Sequence, residues 1–197
     1  RNIREAKKTK KLSFTAWLIK CISRTIEEYS QIHGVRRGKR KTVIFHDIDI
    51  SIMVERVVNG EKVPLPYILR KTNEKTVTDI YDEIRKAQLQ PIQGERDNVL
   101  GQKYSNFMMK VYYATPGFLR RVFWRYLLHS PVMLKQRMGT VIITAIGMMG
   151  SIRGWVIPRG IHPLEIAVGS IVKKPGVVGD RIEIREYLSM TVLIDHD

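Results

Sequence analysis

From Ser13 to Glu28, residues Phe14, Trp17, Leu18, Cys21, Ile22, Thr25 and Ile26 recur at steps of three and four. That period predicts a helix with one apolar face. The polar, glycine-bearing stretch His33 to Lys41 ends it. Over Thr42 to Glu55 the period drops to two. In Ile48-Asp49-Ile50-Ser51-Ile52, apolar and polar residues alternate strictly, as in a strand with one face in a core. Asn59-Gly60 lies between apolar runs and signals a hairpin turn. The returning run, Val63 to Leu69, contains Pro64 and Pro66, so it belongs at a sheet edge or is irregular.

Helical spacing resumes over Thr76 to Leu89, with Val77, Ile80, Tyr81, Ile84 and Ala87 inward and a Thr-x-x-Asp start at Thr76 and Asp79. Pro91 to Gly101 is polar and reads as a loop. A third helix is expected over Pro116 to Leu128, carrying Phe118, Leu119, Val122, Phe123, Tyr126 and Leu127. Gly139 to Ile146 is apolar and β-branched, which predicts a strand. Glu165 to Val172, Arg181 to Glu186 and Ser189 to Asp195 are expected as three more, the first two joined by Lys-Lys-Pro-Gly and Gly-Asp turns. This order predicts an α/β chain with a mixed, largely antiparallel sheet and helices packed on it. It lacks the regular strand-helix alternation of a dinucleotide-binding fold.

The 197 residues suit a single domain, and 44% hydrophobic content suffices for a substantial core. The one cysteine, Cys21, rules out an internal disulfide framework and points to a reducing compartment, most simply the cytoplasm. It is expected as a core thiol. No apolar run is long enough to span a bilayer. Thirty-four Lys and Arg against 19 Asp and Glu give a net charge of +15, which attracts phosphate-rich cofactors, acidic lipid or nucleic acid without choosing among them. The basic run Arg36 to Lys41 reads as a solvated turn. The aromatic, arginine-bearing helix at Phe118 to Leu128 could lie on a membrane surface. Packing against its own domain or a neighbouring subunit is the preferred reading.

Several chemistries are absent from the sequence: no Gly-Lys-Ser/Thr phosphate loop, no Gly-x-Ser-x-Gly elbow, no His-Glu-x-x-His and no paired Cys-x-x-Cys. His33, His46, His129, His162 and His196 show no metal-ligand spacing, so no metal is expected. Two candidates remain. Leu193-Ile194-Asp195-His196-Asp197 ends an apolar strand on a histidine flanked by carboxylates. Gly139 to Gly150 is a strand running into a Gly-x-x-Gly turn with the hydroxyl of Thr144 near its end. Each alone has an ordinary structural reading.

Taken in order, six segments resemble the catalytic domain of the acyltransferase component of 2-oxoacid dehydrogenase complexes, the dihydrolipoamide acyltransferases of the chloramphenicol acetyltransferase-like superfamily. They are Leu12 to Lys20, Asp49-Ile50-Ser51-Ile52 with Val63-Pro64-Leu65-Pro66, Asn73 to Val77, Gly139 to Gly150, His162 to Gly169, and Asp195-His196. Gly139 to Gly150 is similar to the family's Gly-Thr-Phe-Thr-Ile-Ser-Asn-Leu-Gly-Met-x-Gly, and His162-Pro163-Leu164-Glu165 to its Asn-Pro-Pro-Gln. Asp195-His196 stands where the family has Asp-His-Arg-x-x-Asp-Gly. This chain departs from the pattern at Ala145, in place of Asn, and at Asp197, in place of Arg.

The resemblance implies a chloramphenicol acetyltransferase-like two-layer sandwich, in a homotrimer or larger trimer-based assembly with active sites between subunits. It implies coenzyme A as a substrate, a lipoyl group carried on a partner domain, and 2-oxoacid dehydrogenase partner subunits. On the matching positions His196 is the general base and Thr144 the hydroxyl that steadies the oxyanion. One catalytic domain over 1–197, cut short at both ends, is the expected organisation, with residues 91–138 an unmatched basic, aromatic insertion. Two other readings stay open: a free-standing acyltransferase with a small-molecule amine or hydroxyl acceptor, and a non-catalytic trimeric scaffold with a basic binding face. Nucleic acid and membrane surface rank behind protein partners.

Overall fold

The computed structural model describes residues 13–38, 40–58, 61–89, 110–111, 113–146 and 154–195. Helix α1, Phe14–Glu28, starts where the capping residue predicts, with Ser13 Oγ accepting from the Ala16 N–H at 3.4 Å. Its buried face is rotated from the apolar stripe. Ala16, Leu18, Ile19, Ile22, Ser23 and Ile26 are buried, whereas Trp17 is exposed and Cys21 half-buried. The rotation is possible because Ser23 is satisfied inside. Its Oγ lies 2.8 Å from the Ile19 carbonyl and 2.7 Å from Thr72 Oγ1, and Thr72 Oγ1 donates to the Ile48 carbonyl at 3.0 Å. Trp17 instead packs beside Phe14, ring centroids 5.8 Å apart.

A 3₁₀ turn, Ser30–His33, leads into a small hairpin of β1, Val35–Arg37, and β2, Lys41–Val43. The main sheet then begins with β3, Ile50–Val58, and β4, Glu61–Leu69, paired antiparallel from Ile50↔Leu69 to Val58↔Glu61. The predicted turn residues Asn59 and Gly60 lie outside the described residues. Helix α2, Val77–Leu89, opens with the expected box: the Thr76 N–H donates to Asp79 Oδ2 at 3.0 Å and the Asp79 N–H to Thr76 Oγ1 at 3.2 Å. Tyr67 of β4 donates to Glu83 Oε1 at 3.1 Å and ties this helix to the sheet. Burial and the neighbouring Glu83 carboxylate push the Tyr67 hydroxyl up to about 12.

Helices α3, Gly117–His129, and α4, Pro131–Met138, precede β5, Val141–Ala145. Two long strands, β6 at Leu164–Val178 and β7 at Arg181–Ile194, complete a five-stranded sheet ordered β4-β3-β5-β6-β7. Its centre, β3-β5-β6, is parallel and its two outer pairs are antiparallel. Ile50, Ile52 and Val54, Val141 and Ile143, and Leu164, Ile166 and Val168 share one face by register. With the inward residues of α1 and Ile80 of α2 they form the core. The mixed, largely antiparallel sheet with helices on it is thus as expected.

Two details differ from the sequence reading. Lys173-Lys174-Pro175-Gly176 is not a turn but part of β6, and the chain reverses at Gly179-Asp180, where Gly179 has φ +58°. Beyond Val168, β6 has no paired strand on its outer edge among the described residues, so Pro175 removes no ladder bond there. The three strands expected at the C-terminal end are therefore two. On helix α3 all the apolar side chains among the described residues are exposed on the single chain, so of the two packings expected for it, the one against its own domain is not seen.

Candidate active site

Thr144 is the penultimate residue of β5, the middle strand of the sheet, opposite Ala167 of β6. Alternation along the strand buries Val141 and Ile143 against the helices and turns Ile142 and Thr144 to the other face. Thr144 is half-buried, and its hydroxyl makes no hydrogen bond with another described residue. A secondary hydroxyl held on a strand near the end of a parallel pair, with its donor uncommitted, can stabilise a developing anion. The Gly-x-x-Gly turn at Gly147 to Gly150 lies outside the described residues.

The start of β5 is fixed by a buried ionic node. Asp49, in the Asp-Ile-Ser segment, accepts from Arg70 Nη1 at 2.9 Å, from Lys135 Nζ at 3.1 Å and from the Lys71 N–H at 2.9 Å. Arg70 also donates to the Lys135 and Gln136 carbonyls, and so satisfies the last turn of α4. The Asp49 carbonyl in turn accepts from the Thr140 N–H at 3.1 Å. Between α4 and β5 stands Gly139, at φ +78° and ψ 178°, and a Cβ there would lie 2.7 Å from the Asp49 carbonyl oxygen. Only glycine fits that turn. His33, fully buried, holds Thr140 from the other side, with Nδ1 at 2.9 Å from Thr140 Oγ1. Burial pushes the His33 imidazole below its ordinary value, opposed by the Phe45 backbone.

A second group gathers at the same end of the sheet as this node, away from Thr144. His196 lies outside the described residues. Asp195 is the last residue described, and its N–H donates to the Pro163 carbonyl at 2.8 Å. Beside it an open cleft of about 350 Å³ is lined by Arg159, His162, Glu165 and Asp195 among others. His162 Nε2 lies 3.1 Å from the Met138 carbonyl, which only accepts, so the ring proton is on Nε2 and Nδ1 is a bare acceptor. That Nδ1 is buried without a partner. Burial lowers the His162 pKa, opposed by the Met138 bond and the Glu165 charge. The Glu165 carboxylate, itself buried, accepts from the His162 N–H at 3.3 Å.

Asp195 and Thr144 do not meet within one chain. They are four residue steps apart along the strands and two strands apart across them, roughly 16 Å in all by strand geometry. Sequence reasoning singled out Thr144 but not Asp49, Arg70 and Lys135, His33, or the His162–Glu165 pair. Glu165 carries the one local signal, a charged residue in an otherwise apolar stretch, buried on the face of the sheet opposite the helices and paired with Ile142.

No family model matches the sequence, and no curated protein matches it. Solved structures do share the fold. A probable dihydrolipoamide acetyltransferase from Listeria monocytogenes aligns over 94% of this chain and 62% of its own, at TM-score 0.59 and 21% identity. The cubic core of a pyruvate dehydrogenase multienzyme complex aligns over 98% and 64%, at TM-score 0.60 and 13% identity. A dihydrolipoamide acetyltransferase from Azotobacter vinelandii, studied for the roles of a serine, a histidine and an asparagine in its catalytic mechanism, aligns over 96% and 63%, at TM-score 0.58 and 12% identity. The chain therefore has the fold of these catalytic cores and spans a little under two thirds of their length.

Proposed function

We propose that this chain is an acyltransferase that moves an acyl group between coenzyme A and a thiol, with dihydrolipoamide as the acceptor. The observation that carries the proposal is Thr144, an uncommitted hydroxyl at the end of the central strand of an acyltransferase-core fold. It stands where the resembling family has its serine, and His196 where that family has its histidine. A serine and a histidine are also among the residues studied for catalysis in the Azotobacter protein.

The chemistry follows from ordinary acidities. A thiol with pKa near 8.5 is mostly protonated at neutral pH, and a neutral imidazole of pKa about 6.5 can take its proton. The attacking sulfur bonds to the thioester carbonyl carbon while the carbonyl π pair moves onto oxygen. Thr144 donates to that oxygen. The intermediate collapses, the original carbon–sulfur bond breaks, and the imidazolium returns its proton to the departing thiolate. Because Asp195 and Thr144 are far apart in one chain, the pair is assembled from two copies.

The long β6-β7 hairpin supports such an assembly. Val177, Ile182 and Ile184 on it are almost fully exposed on the single chain, an apolar surface that a neighbouring copy would cover. Its charges are mixed, Lys173, Lys174, Arg181 and Arg185 against Glu183 and Glu186, as suits contact with a second copy of itself. In this reading the assembly is a trimer or built from trimers, and it works in a reducing compartment such as the cytoplasm.

The test is transfer from acetyl-coenzyme A to dihydrolipoamide, followed by mass spectrometry of the products. His196→Ala is expected to lower turnover by about 10²–10⁴ and Thr144→Ala by about 10²–10³, with the oligomer intact. A His196→Ala protein with most of its activity refutes the assignment. Transfer only to small amines or alcohols points to the free-standing enzyme. No transfer to any acceptor points to the scaffold.

A further inference from the structure

We propose that helix α3, Gly117–His129, is a docking face for an acidic lipid surface. At 100° per residue, Phe118, Leu119, Val122, Phe123 and Tyr126 fall in one continuous sector about 140° wide. Arg121 and Arg125 border it on one side, Arg120 lies about 60° beyond its other edge, and Trp124 is the exposed aromatic on the opposite side. Phe118, Val122 and Tyr126 are 65%, 61% and 64% exposed, although each is large and apolar in body. An aromatic-aliphatic sector edged by arginines is the arrangement of a helix lying in a membrane interface: rings enter the acyl boundary and guanidinium groups reach back to headgroup phosphates.

Charge decides between a lipid surface and a second copy of the chain. Residues 98–164 contain nine Lys and Arg and not one Asp or Glu. Lys135 of this stretch is paired with Asp49 and Asp47, but α3 itself carries Arg120, Arg121 and Arg125 and no Asp or Glu, so its face is positive only. It repels another copy of the same face and attracts an anionic one. The β6-β7 hairpin, with its mixed charges, is the contrasting case. No helix among the described residues is long and apolar enough to cross a membrane, so α3 rests on the surface and does not span it.

The experiment is flotation of the full chain with vesicles of phosphatidylcholine, alone or mixed with phosphatidylglycerol, at low and high salt. Binding is expected to the acidic vesicles and to weaken with salt. Arg121→Gln should weaken it by about fivefold. Phe118→Ser with Val122→Ser leaves the net charge unchanged and touches exposed positions only, yet should weaken binding by about tenfold or more. Lys173→Gln with Lys174→Gln, on the hairpin, should change it by less than either. Absence of binding to acidic vesicles overturns the proposal. So does wild-type binding by the Phe118/Val122 variant, which would reduce the effect to bulk charge. A fall in oligomer mass for that variant, measured by light scattering, also overturns it and makes α3 a contact between copies.

Discussion

Replacing Asp49 with asparagine removes one charge from the node that joins β3, the start of α2's lead-in and the end of α4. The Asp49 carboxylate is 4% exposed and bonds two cations and a backbone N–H. Removing one member of a buried ion pair typically costs about 3–5 kcal/mol. Arg70, however, is 40% exposed, so water recovers part of its loss. Asparagine also keeps an acceptor for the Lys71 N–H. A destabilisation of about 2–3 kcal/mol is therefore expected, and about 1 kcal/mol more for Asp49→Ala, which also strands that N–H. Guanidinium unfolding at one fixed protein concentration measures both, with an unchanged m-value as the sign that only stability moved. The control is Asp47→Asn. Asp47 is 38% exposed and lies 3.7 and 3.8 Å from Lys71 and Lys135, so its loss should stay within about 0.5 kcal/mol. If Asp49→Asn costs no more than Asp47→Asn, the node does not hold the strand that carries Thr144.

Gly139→Ala places a Cβ 2.7 Å from the Asp49 carbonyl oxygen at positive φ, so it should destabilise by roughly 1–3 kcal/mol from backbone strain alone, read in the same unfolding assay. A pH series provides a separate check. Burial lowers the pKa of both His33 and His162 in the folded chain, so the unfolded chain binds more protons. Their contribution to stability is fully present above pH 6.5 and falls as pH drops below it, with a slope of up to about 1.4 kcal/mol per pH unit for each histidine. His162→Gln should flatten that slope, and an unchanged slope would refute the role of burial there.

The legible part of this fold is the part that local chemistry decides. Ser13 and the Thr76–Asp79 pair mark helix starts because a side chain three residues away closes each cap. The alternation at Ile48 to Ile52 marks the start of β3, at Ile50, because alternation needs no partner to be seen. What stayed illegible depends on distant contacts. The buried face of α1 turned away from its apolar stripe because Thr72 satisfies Ser23 inside the core. Lys-Lys-Pro-Gly looks like a turn, and becomes strand because β7 runs beside it, with no paired strand on the other edge among the described residues. Asp49 reads as an ordinary polar position in an alternating strand, and its partners Arg70 and Lys135 lie far along the chain. Helix α4 is only eight residues long, too short for a periodic signal. Thr144 was found from its resemblance to a motif, since one threonine in a β-branched strand is otherwise unremarkable.

The distance between the two ends of the sheet makes the proposed mechanism testable without a bound substrate. If Thr144 of one copy works with His196 of the next, the contact between copies is head-to-tail and the ring closes. Thr144→Ala and His196→Ala chains are then each inactive as pure assemblies, but they complement one another. In a mixed assembly refolded from equal amounts, a working site needs Thr144 from the His196→Ala chain and His196 from the Thr144→Ala chain. Random closure places that pair at about a quarter of the junctions. Activity near a quarter of wild type, appearing only after the two variants are unfolded and refolded together, is the expected result. A site contained within one chain has no way to recover, because every copy in the mixture lacks one of the two groups. Co-refolded assemblies of full size with no activity would leave the roughly 16 Å between Asp195 and Thr144 unbridged, and the shared-site mechanism would fall.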